Sequence, residues 1–71
     1  MLAKELKLLR GVGRLSQLKL ATKSGVSHTR IIRFELEAIE LRADEIAAIR
    51  KALAPELVKH ISLALAFQSG E

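Results

Sequence analysis

His28, Thr29, Ile32 and Arg33 are the residues whose types and spacing could act together chemically. In a helix turning by about 100° per residue, Ile31 and Phe34 share one side, and these four occupy the other with Arg30 on the flank. The chemistry they suit is recognition. A guanidinium fork pairs with a guanine edge, Thr and His hydrogen-bond base edges, and a branched aliphatic meets the methyl of thymine. Solubility alone does not explain an isoleucine beside an arginine on an exposed face. His28 taken singly reads as an ordinary surface histidine, and its place in this face favours base or phosphate contact.

Catalytic readings fare worse. Gly11-Val12-Gly13 begins a phosphate-loop fingerprint, but Ser16 stands at the third glycine position and no strand pattern precedes it. His28 and His60 lie far apart in a chain without cysteine, which is no metal-ligand spacing. No serine sits in a nucleophile elbow. The expectation is a protein that is not an enzyme and needs neither cofactor nor metal.

The periodicity that positions these residues predicts an all-α fold of five helices in a single domain spanning residues 1–71. Leu2, Leu6 and Leu9 mark a first helix over about 2–10, closed by Gly11 and Gly13. Ser16 caps a second over about 17–23, which buries Leu20 and Ala21. Gly25 supplies a left-handed turn, and Ser27 caps a third helix over about 28–36 that buries Ile31 and Phe34 with Val26. After a connection from Ala38 to Leu41, a fourth helix over about 43–53 buries Ile46, Ile49 and Leu53. Its cap position, Arg42, is a poor one, although Asp44 and Glu45 favour its positive end. Pro55 opens a fifth helix reaching about Phe67, and the tail at Gly70 is expected to fray.

Composition bounds the rest. The chain has 71 residues, 49% of them apolar, with Phe34 and Phe67 the only aromatics, so the core must be aliphatic. Residues 1–35 carry eight cations (Lys4, Lys7, Arg10, Arg14, Lys19, Lys23, Arg30, Arg33) against Glu5 and Glu35, a balance of +6. Residues 36–71 carry four cations against six carboxylates, a balance of −2. A polyanion would therefore meet the first half. Lys4, Glu5 and Lys7 interrupt any signal-peptide core, and the run Ile61 to Phe67 is too short to span a bilayer. A basic first helix lying on a membrane would leave the turn glycine and both serine caps unexplained. A cytoplasmic protein without a membrane partner is expected.

The run LSQLKLATKSGVSHTRIIRFE, Leu15 through Glu35, has the form L-S-Q-x-x-L-A-x-x-x-G-V-S-x-x-x-I-x-R-x-E. It resembles the helix-turn-helix of the phage lambda repressor and Cro family, and the likeness covers roughly residues 2–55. The resemblance implies a compact five-helix DNA-binding domain, often dimeric, with its helix-turn-helix at about 16–36. It also implies that Gln17 and Ser27 bind backbone phosphates, that His28, Thr29 and Arg33 read bases, and that Arg10 and Glu35 form an ion pair between the first helix and the end of the third. Lys23, Arg30 and Arg42 are the flanking cations expected near phosphates, and Ile32 completes the base-reading face. The chain departs from the family at Leu36-Glu37-Ala38-Ile39-Glu40, where a glycine turn and basic or amide residues are common. Glu37 and Glu40 would repel phosphate, and the third helix could run a turn longer than usual.

Two functional classes follow. One is a sequence-specific regulator of double-stranded DNA, of the small phage or mobile-element repressor type, binding an inverted repeat as a homodimer. The other is an antitoxin-like module on the same scaffold that binds a protein partner and touches DNA secondarily. For the dimer, residues Leu57, Val58, Ile61, Ala64 and Leu65 are expected to fill the domain's own core. That leaves Leu63 and Phe67, beside His60, as the interface ridge, with the loop at Ile39 and Leu41 as the next candidate surface.

Overall fold

The computed structural model describes residues 1–69, which form four α-helices and no strand: α1 (Ala3–Gly13), α2 (Gln17–Ser24), α3 (His28–Glu35) and α4 (Ala43–Ser69). The all-helical expectation holds, but the count of five does not. The tail expected to fray at Gly70 lies outside the described residues.

Four helix boundaries show how local chemistry sets them. Ser16 Oγ accepts the Lys19 N–H at 3.0 Å to open α2, and Gly25, at φ 77°, closes it with its N–H on the Ala21 carbonyl at 2.9 Å. The Ser27 hydroxyl accepts the Arg30 N–H at the start of α3. At α4 the weak cap Arg42 is compensated from inside the helix, because Glu45 Oε1 accepts the Arg42 N–H at 2.9 Å. A glutamate three residues into a helix that reaches back to the cap is half of a capping box.

Two boundaries differ from expectation. Gly11 and Gly13 do not close α1, which runs to Gly13 and ends at Arg14 in the left-handed region (φ 55°). Gly13 serves packing instead: a Cβ there would lie 3.4 Å from the Glu56 Cβ, so α1 and α4 approach closely at this point. Nor does α3 gain an extra turn. Leu36 still bonds to the Ile32 carbonyl, but Glu37 turns left-handed at φ 62° and the Ala38 N–H returns to the Arg33 carbonyl at 2.9 Å.

The fourth and fifth expected helices are one. Pro55 lies inside α4, where it forfeits a single backbone bond at a cost of about 3 kcal/mol, among good helix formers (Ala52, Leu53, Ala54, Glu56, Leu57) and with no glycine to release the chain. Continuity carries the helical phase through the proline. Ile49 and Leu53 are fully buried, and Val58, nine residues beyond Ile49, points to the opposite side. The expectation that Val58, Ile61, Ala64 and Leu65 fill the domain's own core therefore fails: all four are exposed, and only Leu57 packs partly against the core.

The core itself gathers Leu6, Leu15, Leu20, Ala21, Val26, Ile31, Phe34, Leu41, Ile49 and Leu53 from all four helices and the three connections between them. Leu41 is thus a core residue, and Ile39 packs partly against it, so the loop offers little of the free surface expected for a dimer contact. The chain measures 45 × 19 × 19 Å, and α4, at about 1.5 Å per residue, accounts for the long axis.

The left-handed Glu37 is a point of strain, since a side chain there costs about 1–2 kcal/mol and glycine adopts the same angles freely. Glu37→Gly is expected to raise stability by about 0.5–1 kcal/mol, the strain relieved less the entropy of glycine in the unfolded chain. Ala38→Gly, where φ is not positive, should lower it. Thermal melts of the two variants check the sign of each.

Candidate nucleic-acid interface

α2 and α3 meet at Gly25, and their packing is governed by one buried carboxylate. Glu35, 3% exposed at its side chain, accepts Arg10 Nε at 2.7 Å and Arg10 Nη2 at 2.8 Å, and Gln17 Nε2 at 3.0 Å. Arg10 also donates through Nη1 to the Leu15 carbonyl at 3.0 Å. The ion pair implied by the resemblance is therefore present, and it binds α1, the α1–α2 turn and the first residue of α2 to the end of α3. Burial pushes the Glu35 carboxyl up, but the bonds from Arg10 and Gln17 and the charges of Arg10 and Lys7 outweigh it and leave it below the usual carboxylate range.

A second carboxylate does the same at the other end. Glu45 accepts Arg30 Nε at 2.6 Å and Arg30 Nη2 at 2.8 Å, and Arg30 Nη2 also reaches the Glu40 carbonyl at 3.4 Å. The bonds from Arg30 and from the Arg42 N–H hold the Glu45 carboxyl down to about 2. This clamp between the first turn of α3 and the first turn of α4 was missed in the sequence. The signal available was only the glutamate three residues into α4, and nothing local links it to Arg30.

Between the two clamps lies the outer face of α3. Thr29 and Arg33 are exposed, and His28 and Ile32 are half-buried. The Arg33 side chain makes no hydrogen bond or ion pair with any described residue. Leu36, which sequence reasoning left off the face, continues it at 72% exposure.

The flanking donors divide by how they are held. Gln17 uses one amide hydrogen on Glu35, which orients the group and leaves the second hydrogen for another acceptor. Arg30 uses Nε and Nη2 on Glu45 and Glu40, so Nη1 keeps its two hydrogens. Ser27 is exposed at the start of α3. Lys23 Nζ lies 3.6 Å from Glu56 Oε1, a loose tie between α2 and α4. Arg42 is 67% exposed at its side chain but pairs with Asp44 at 3.2 Å and approaches Glu45 at 3.8 Å, so two carboxylates offset its charge. No group of three His, Cys, Asp or Glu suited to a metal ion occurs among the described residues.

Comparison with known proteins found no matching family model, no matching curated protein and no matching solved structure.

Removing one partner of the Glu35 cluster leaves a charge without its mate. Glu35→Ala is expected to cost about 2–3 kcal/mol of folding stability, against less than about 0.5 kcal/mol for Glu40→Ala on the exposed loop, measured by denaturant titration. Acid should act through the same groups. Glu35 and Glu45 titrate below an unfolded carboxyl near about 4.3, so their stabilisation is complete above that value and is lost as pH falls through their folded values, about 2 for Glu45. Melting temperature should decline progressively below about pH 5. Glu45→Gln should start lower at neutral pH and decline less steeply.

Proposed function

We propose that this protein is a sequence-specific double-stranded DNA-binding regulator of the lambda repressor and Cro type, with the fourth and fifth helices of that fold fused into α4. The observation that carries the reading is the outer face of α3: an unpaired Arg33 beside Thr29, between two buried carboxylates that orient Gln17 and Arg30 toward its ends. Arg33, Thr29, His28 and Ile32 would read base edges in the major groove, while Gln17, Ser27 and Arg30 would hold phosphates. The excess of cations in residues 1–35 supplies attraction to the polyanion. Lys23 and Arg42 have weaker claims as phosphate contacts, because each already faces a carboxylate. Such a regulator would work in the cytoplasm on an operator near a promoter, in the manner of a small phage or mobile-element repressor.

A homodimer on an inverted repeat completes the proposal, since one short recognition helix reads few base pairs and two-fold repressors place two about 34 Å apart. The C-terminal part of α4 supports it. Leu63 and Phe67 are 58% and 87% exposed, and with His60 and Ala64 they border a shallow depression beside Arg14. Val58 and Ile61 add an apolar strip on the outward side. A helix apolar on more than one side calls for burial by another chain. The same exposure is what favours the second reading, in which α4 docks an antitoxin's protein partner and DNA binding is secondary. Purification with a stoichiometric partner and little affinity for duplex DNA would select that reading.

Footprinting on the DNA upstream of its own gene tests the regulator directly. Arg33→Ala should lose discrimination at one base pair, by about 1–3 kcal/mol, while Gln17→Ala should weaken specific and random duplexes about equally. Equal losses on both DNAs for Arg33→Ala would contradict its role. In sedimentation, Leu63→Lys with Phe67→Lys should shift a dimer to monomer, and an unaltered protein that stays monomeric at high micromolar concentration would defeat the pre-formed dimer.

A further inference from the structure

Thr29, Ile32, Arg33 and Leu36 follow one another at i, i+3, i+4 and i+7, which makes them a single stripe along the outer side of α3. The core stripe of Ile31, Phe34 and Glu35 lies opposite. Leu36 belongs to the helix by its backbone, with φ −84°, ψ 1° and its N–H 3.0 Å from the Ile32 carbonyl. The next residue, Glu37, turns away at φ 62°, so Leu36 is the last side chain on this face. It does not border the depression that Phe34, Ile39 and the α1 N-terminus form on the other side. Two large aliphatic side chains and a threonine methyl thus surround one unpaired cation.

We infer that this stripe, with Leu36 as a specificity-determining residue, reads the 5-methyl groups of thymines that flank a guanine held by Arg33. The inference rests on the DNA-binding reading above and narrows the sequence it recognises. Its chemistry follows from what the major groove displays: thymine presents an apolar methyl there, and guanine presents two acceptors that fit the arginine fork. Charge complementarity favours this occupant over an apolar protein surface. Exposed Lys19 and Arg14 and the tethered Lys23 lie in the basic half of the chain, and Arg33 itself would be buried without a partner against an aliphatic surface. From Thr29 to Leu36 the helix rises about 10 Å, which spans about three base-pair steps. The expected half-site therefore contains a guanine with thymines among the adjacent two or three pairs.

The test replaces thymine by uracil, which removes the methyl and keeps every hydrogen-bonding group. The full chain first selects its preferred duplex from random sequence. Each thymine of that duplex is then replaced singly and affinity is measured. Wild-type protein should lose about three- to fivefold at two or more positions near the guanine, the effect of exposing one buried methyl. Leu36→Ala should bind the parent duplex more weakly and lose its sensitivity to uracil at one of those positions, while keeping it at another. Because Leu36 is exposed, this variant should melt like wild type, and a melt confirms that the fold is intact. Uracil without effect at every position, or identical uracil profiles for wild type and Leu36→Ala, overturns the inference while leaving DNA binding standing. Selection that enriches no sequence overturns the DNA reading and this inference with it.

Discussion

The buried carboxylate of Glu35 is the constraint on which the rest of the arrangement depends. A charge taken out of water must be paired and hydrogen-bonded on all sides, and Glu35 satisfies that demand with groups from different parts of the chain: the Arg10 fork from α1 and the Gln17 amide from α2. Because Arg10 also holds the Leu15 carbonyl, the turn before α2 is drawn into the same network. Three of the four helices are thereby set relative to one another by directional bonds, where an aliphatic core alone would permit sliding. The outer face of α3 inherits that fixed orientation.

The Glu45 cluster extends the principle to α4, and gives Arg30 a different character from Arg33. Arg30 is a cation already committed to a carboxylate on two nitrogens, whereas Arg33 has its whole fork open. A committed guanidinium is oriented before any ligand arrives and loses less freedom on meeting a phosphate; an open one can match a planar acceptor pair. The two arginines on one short helix thus differ in how far each is fixed before any ligand arrives.

The continuity of α4 decides the distribution of apolar surface. Ile49 and Leu53 complete the core, but the helix goes on past it, and Val58, Ile61, Leu63 and Phe67 stay exposed among the described residues. A chain of 71 residues has little surplus burial, so leaving Val58, Ile61, Leu63 and Phe67 in water is a considerable expense for a monomer. Burying that surface against another chain would stabilise the fold.

Much was legible in the sequence because it depends on short-range chemistry. Ser16, Gly25 and Ser27 set the ends of α2 and α3 through bonds to residues at most four away, and the apolar spacing of Leu20, Ile31, Phe34, Ile49 and Leu53 picked out core positions that the structure buries. The outward side of α3 followed from the same periodicity, and the Arg10–Glu35 pair from likeness to a known pattern. The tertiary structure alone decided the remainder. Local rules treat a proline as a helix start as readily as an interruption, and the packing of α4 along α1 and α2 adds to the good helix formers around Pro55 in favouring the continuous helix that turns Val58 outward. Gly13 looked like a terminator because its Cβ-less backbone permits a turn, yet it is the close approach of Glu56 that uses it. Arg30 and Glu45, fifteen residues apart with a loop between them, carried no local mark of their contact. Which carboxylate a cation meets depends on where the chain has brought distant helices, and a sequence read one helix at a time does not contain that distance.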